Sequence, residues 1–208
     1  NASQQLTAAL KGIKVYDVAF ADYDNDGYKD IVVAGINQDV SKSGVKLFHN
    51  DSTKSFSDAS TLLPADITGA YHIGIADFNF DGDMDFFFSG PSGIQLARND
   101  GGNNNNYVQV QLTGLSFGNS KNNRLGIGSQ VELKAGNLYQ KKTVKSSLIE
   151  FGVGTRTRLD ALRIIWPNGV PQTDVDPTRK QKLLEEEQLK GSCPFLFTWD
   201  GKKYEFLK

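Results

Sequence analysis

Two short stretches of this sequence collect more oxygen donors than a turn requires. Asp22-Tyr23-Asp24-Asn25-Asp26-Gly27-Tyr28-Lys29-Asp30 returns 55 residues later as Asp77-Phe78-Asn79-Phe80-Asp81-Gly82-Asp83-Met84-Asp85. Acceptors at alternate positions of a tight loop can all aim inward, and glycine at the sixth position permits the sharp bend. Left unneutralised, acidic groups packed so closely repel one another, so the pattern calls for a cation. Calcium is a hard ion that takes oxygens from carboxylates and carbonyls at about 2.3–2.6 Å. The first site is read as the side chains of Asp22, Asp24, Asp26 and Asp30 with the Tyr28 carbonyl. The second is read as Asp77, Asn79, Asp81 and Asp85 with the Asp83 carbonyl. Two Ca2+ ions are therefore expected. Asp, Asn and Gly are also ordinary turn residues that can bind nothing. That explanation covers one loop more easily than two loops in the same phase.

The elements around the loops must be strands. Val15-Tyr16-Asp17-Val18-Ala19-Phe20 precedes the first loop and Ile31-Val32-Val33-Ala34 follows it. The second lies between Ile73-Gly74-Ile75-Ala76 and Phe86-Phe87-Phe88. β-branched and aromatic residues of this kind favour a pleated surface. An EF-hand begins with similar spacing but needs helices on both sides and a bidentate Glu at the twelfth position. Here those positions are Val33 and Phe88.

More than the loops repeats. Val45-Lys46-Leu47-Phe48-His49-Asn50-Asp51 with Phe56-Ser57-Asp58 follows the first, and Ile94-Gln95-Leu96-Ala97-Arg98-Asn99-Asp100 follows the second. A unit of about four short strands at this period suggests propeller blades. Ala21-Asp22-Tyr23-Asp24-Asn25-Asp26-Gly27 with Asp30-Ile31-Val32-Val33-Ala34-Gly35 resembles an FG-GAP (VCBS-type) repeat, the calcium-bearing blade of integrin-α-like propellers. That resemblance implies the same calcium ligands as the spacing does, with Asn79 standing where an acid is usual. Two blades cannot close a ring. A strand of a third blade is expected near Leu6–Leu10, and the chain is read as a fragment of a longer one or as a compact variant with covered edges.

The second half resembles the ASPIC/UnbV domain. The matching stretches are Tyr107–Leu112, Asn123–Ser129, Phe151-Gly152-Val153-Gly154, Leu162–Gly169 and the tail Gly191–Gly201. The expected fold is all-β: partial β-propeller blades followed by a β-sandwich-like domain. Expected boundaries are 1–101 for the repeats (blades at about 13–58 and 69–100), 102–106 for an Asn-rich linker, 107–190 for the second domain and 191–208 for a C-terminal hairpin.

Within that half, Val108, Val110 and Leu112 alternate with Gln109 and Gln111, as a half-buried strand does. Gly136-Asn137 and Pro167-Asn168-Gly169 read as turns, and Asp200-Gly201 as a hairpin turn. Lys141-Lys142-Thr143-Val144-Lys145 reads as a strand with a solvated lysine face. Trp166 and Trp199 each read as a core or rim anchor, or as a platform for a stacked sugar. Thr178–Lys190 is rich in helix formers, whereas the resemblance implies a strand there, and the strand is the expectation.

The chain holds 23 Lys+Arg against 24 Asp+Glu, which recommends neither nucleic acid nor an anionic membrane as partner. No apolar run approaches the roughly 18 residues of a membrane span. Cys193 is the single cysteine and excludes an internal disulfide; it is read as a small buried hydrophobe. With His49 and His72 the only histidines, neither a metalloprotease pair nor a serine-hydrolase elbow is present. A hydrolase is the least favoured class, so no catalytic residue is expected, although Glu150, Asp160 and Asp174 remain acids without an assigned role. The leading expectation is a calcium-stabilised, extracellular or cell-envelope-exposed binding or adhesion module for a protein or glycan. The alternative is an architectural component of a surface filament or envelope complex, with self-association through open blade edges.

Overall fold

The computed structural model describes residues 2–52, 55–101, 104–115, 122–177, 182–188 and 196–207. The chain forms two compact units, residues 1–107 with 152–155 and residues 108–151 with 156–208. The strand 149–154 therefore contributes Gly152–Thr155 to the first unit, a return that sequence order alone does not announce.

The first unit opens with a helix, α1 (Ala2–Ala9), which packs beside β4. A strand was expected near Leu6–Leu10; instead Leu10 N–H closes a helical turn on Leu6 O at 3.0 Å. Ala, Gln and Leu are good helix formers, and this stretch lacks the β-branched run of its neighbours. Four antiparallel strands follow in spatial sequence, β1 (Ile13–Ala21), β2 (Asp30–Asn37), β3 (Lys46–Asn50) and β4 (Phe56–Asp58). A second sheet holds β5 (His72–Ala76), β6 (Asp85–Gly90) and β7 (Gly93–Ala97). Registers in the two sheets correspond: Ala21 pairs with Asp30, and Ala76 with Asp85. Each acidic loop is thus the connection of a β-hairpin whose last ladder position is the loop's final aspartate. Beneath them lies a core that includes Val32, Ala34, Leu47, Ile67, Phe86 and Phe88. That apolar mass fixes the strand ends from which the loops project.

The second unit contains β8 (Asn106–Thr113), β9 (Gln130–Ala135), β10 (Leu138–Thr143), β11 (Ile149–Gly154), β12 (Ala161–Ile165), β13 (Pro171–Val175) and β14 (Lys182–Glu186). One sheet runs β10-β9-β12-β13 and the other β11-β8-β14. Alternate residues of both are buried, among them Val110, Leu112, Val131, Leu133, Phe151, Leu162 and Ile164, the period-two pattern of a sandwich-like core. Trp166 is 2% exposed and its indole N–H donates to Gln172 Oε1 at 3.2 Å, so it is a core residue with a satisfied polar end.

The helix formers of 182–186 do form a strand, parallel to β8 with Leu183 opposite Val110. Here tertiary context overrides propensity. Leu183 is buried, and the carboxylate of Glu187 just beyond accepts Leu115 N–H at 3.0 Å and the Asn122 amide at 2.6 Å.

A separate hairpin, β15 (Leu196–Trp199) with β16 (Tyr204–Leu207), ends the described chain. Its turn is Gly201-Lys202 rather than Asp200-Gly201. Asp200 instead flanks it, and its carboxylate accepts the N–H groups of Lys202 and Lys203, both at 2.6 Å. Of the lysine strand, Lys142 lies over the Phe151 ring at 4.8 Å rather than in solvent alone. Cys193 lies outside the described residues.

Candidate metal centre

The two loops use one hydrogen-bonding scheme. In the first, Gly27 N–H donates to Asp22 Oδ2 at 3.2 Å, Asp26 N–H to Asp24 Oδ1 at 3.3 Å and Tyr28 N–H to Asp26 Oδ1 at 2.7 Å. In the second, Gly82 N–H donates to Asp77 Oδ2 at 3.0 Å, Asp81 N–H to Asn79 Oδ1 at 3.4 Å and Asp83 N–H to Asp81 Oδ1 at 2.9 Å. Both chains pass through the left-handed region twice, at Asn25 (φ 59°) and Gly27 (φ 97°) and at Phe80 (φ 60°) and Gly82 (φ 93°). Glycine at the second of these avoids the strain a side chain would add. Tyr28 and Asp83, the expected carbonyl donors, are anchored by those same N–H bonds at the seventh position of each loop.

The closing aspartates are matched as well. Asp30 accepts Tyr23 N–H at 3.1 Å and Asn50 N–H at 2.8 Å, while Asp85 accepts Phe78 N–H at 2.9 Å and Asn99 N–H at 2.7 Å. Both acids are fully buried. Each loop is therefore braced by an asparagine from the last strand of its own sheet region.

What the loops gather differs. Carboxylate oxygens of Asp22, Asp24 and Asp26 lie within 4.8 Å of one another, and Asp24, Asp30 and His49 form an overlapping group. His49 Nδ1 stands 3.3 Å from Asp24 Oδ2 and 3.4 Å from Asp30 Oδ1. Burial pushes the Asp30 carboxyl up to about 7, with Asp24 and Asp22 adding to the rise against two lowering N–H bonds. Tyr23 is pushed up to about 12, first by burial and then by Asp24, Asp30 and Asp26. Both shifts report an excess of negative charge, which a bound cation would relieve. The donor set of the first loop, hard oxygens on a preformed turn, fits calcium.

The sequence matches two known families. Residues 22–88 fit the FG-GAP-like repeat, a match that begins at the first loop's first aspartate and includes the whole second loop. Residues 118–190 fit the domain described as ASPIC and UnbV.

This chain carries an FG-GAP-like repeat followed by an ASPIC/UnbV domain.

No curated protein matches it. FG-GAP-like repeats commonly bind calcium, are typically extracellular and, with an ASPIC/UnbV domain, mark a surface or extracellular protein-interaction module. Among the described residues no helix is long and apolar enough to cross a membrane.

Three contributors to the FG-GAP-like repeat escape a motif-based reading. His49 is one. Asn25 is another: 3% exposed, it donates from Nδ2 to Gly82 O and to Asp83 Oδ1, both at 3.0 Å, tying one loop to the other. The third is Gly152, where an added Cβ would collide with Asp22 Oδ2 and the Asn25 backbone. Nearby, Gly154 N–H donates to Asn25 O at 2.8 Å. The repeated Asn-Asp strand ending signals the bracing role of Asn50 and Asn99, whereas nothing local marks Gly152 as a neighbour of the first loop.

Proposed function

We propose that this chain is a calcium-stabilised extracellular binding or adhesion module, without catalytic activity, that holds one Ca2+ in each acidic loop. The observation supporting this most strongly is the common scaffold of the loops. Each ties its second-half N–H groups to its own carboxylates or Asn79, and each ends on a buried aspartate braced from a neighbouring strand. Such a scaffold is organised before any ion arrives, so binding energy is not spent on ordering the loop. Asp22, Asp24, Asp26, Asp30 and the Tyr28 carbonyl would hold the first ion. Asp77, Asn79, Asp81, Asp85 and the Asp83 carbonyl would hold the second. The ions would supply charge neutralisation and rigidity at the hairpin tips, leaving loop surfaces for a protein or glycan partner. Sites of this kind fill readily at the calcium concentrations outside cells.

Thermal unfolding in excess calcium and then in chelator tests the reading, with Asp24→Ala/Asp81→Ala alongside. An ion bound only to the native state raises stability by about 2.7 kcal/mol at one hundred times its dissociation constant. A rise with calcium that the double variant lacks is the expected result. A folded chain indifferent to millimolar calcium would overturn the proposal.

A further inference from the structure

We propose that the second unit carries a carbohydrate-binding cleft, built for a neutral oligosaccharide, between the β15–β16 hairpin and the edge strand β13. The inference rests on reading the chain as a binding module and narrows the partner of that module to a glycan.

The cleft has a volume of about 670 Å³, within the range of about 300–1,000 Å³ usual for ligand sites. One wall is aromatic. Trp199 and Tyr204 are cross-strand partners with ring centroids 5.2 Å apart and planes at 58°. Phe197, two residues before Trp199, falls on the same face of its strand by the period-two rule. These three rings line the cleft yet stay 48%, 53% and 46% exposed for Phe197, Trp199 and Tyr204. Three half-exposed rings on one face of a short hairpin are unburied binding area rather than core.

The facing wall is polar and electrically balanced. Lys134, Arg158 and Lys203 stand against Asp160, Asp174 and Asp176 around the cleft. Several of these groups are held in place. Arg158 pairs with Asp176 at 3.0 Å, Lys203 with Glu205 at 3.0 Å, and Asp160 Oδ2 accepts Gly136 N–H at 2.7 Å. Three cations against three anions select neither an anionic nor a cationic ligand. They offer donors and acceptors at fixed positions, which is what ring hydroxyls require. A sugar presents an apolar C–H face to stack on rings and a rim of hydroxyls to meet charged side chains. A purely apolar ligand would leave the polar wall desolvated and unpaired, at a cost. A polyanion would face three aspartates. Rigid aromatic side chains give such contact area at little entropic loss.

Titrating the full chain with cellohexaose, xylohexaose and mannohexaose, followed by tryptophan emission and calorimetry, tests the assignment. Trp166 is buried and Trp199 is in the cleft, so a ligand-induced emission change reports the cleft. The expected result is saturable binding of at least one of these neutral sugars. Trp199→Ala should weaken it about tenfold without moving the unfolding midpoint, and Trp199→Phe should retain part of it. Asp174→Ala, on the opposite wall, should weaken it as well. No saturable response to any of the three sugars would overturn the inference, as would binding that Trp199→Ala and Asp174→Ala leave unchanged. Binding of hexagalacturonate or of an extended peptide in place of all three would also overturn it, in favour of an anion or of strand addition at β13. Calcium stabilisation without sugar binding sinks this assignment alone, whereas sugar binding without calcium stabilisation sinks the calcium reading alone.

Discussion

The two acidic loops have the same backbone and the same internal hydrogen bonds, yet they concentrate charge differently. In the first, three aspartates converge, and the nearest cationic candidate is His49 beside Asp24 and Asp30. In the second, Asn79 replaces an acid and its amide donates to Asp81 Oδ2 at 2.7 Å. The residue in register with His49 is Arg98, whose guanidinium is held above its ordinary range first by its bond to Asp100, with Asp81 and Asp85 contributing. Position four diverges too: Asn25 is buried and reaches across to Gly82 and Asp83, while Phe80 is 81% exposed. A shared scaffold therefore does not make equal sites. The first loop has the greater need of a cation, and the second already neutralises part of its own charge.

The largest expected effect separates the two closing aspartates. In calcium, Asp30→Ala leaves the Tyr23 and Asn50 N–H groups without their acceptor and should cost about 3 kcal/mol by denaturant unfolding. In chelator the penalty should shrink, because the same substitution also removes a buried, unneutralised charge. Asp85→Ala should cost a similar amount with less dependence on calcium; equal calcium dependence for both would erase the proposed difference between the loops.

A smaller effect is expected with pH. Without metal, the folded chain keeps the Asp30 proton up to about 7, against 3.8 for an ordinary aspartate. The native state then binds a proton that the unfolded chain has released, so stability should fall as pH rises through that window. Calcium should flatten the profile, and Asp30→Asn should remove this component even in chelator. A chelated protein that gains stability from pH 4 to 7 in proportion to Asp30 would reverse the assignment.

The smallest change sharpens the comparison. Asn79→Asp gives the second loop the acid that the first has at the same position, and should tighten its calcium binding by about tenfold in calorimetry. Unaltered affinity would show that Arg98 and Asn25, rather than the missing acid, set the second site's strength.

Much of this was legible in local sequence. Alternating acceptors around a sixth-position glycine specify the loop because its ligands all come from nine consecutive residues. Val108, Val110 and Leu112 announce their strand because its period is local and one face is buried. The stretch at Leu6–Leu10 misleads when a blade is expected there, since its own helix propensity is what prevails. At 182–186 the opposite holds, and pairing with β8 overrides strong helix formers. Propensity wins where few tertiary contacts compete, and it loses where burial of Leu183 and Glu187 depends on the strand.

By itself, then, the sequence determined the acidic loops, the strands that carry them and the two-part β organisation, because each is written in short-range spacing and periodicity. Only the tertiary structure decided that His49 would stand beside Asp24 and Asp30, that Asn25 would join the loops and that Gly152 would press against Asp22. Those neighbours come from distant positions in the chain, and no local pattern encodes a meeting that only burial and strand pairing bring about.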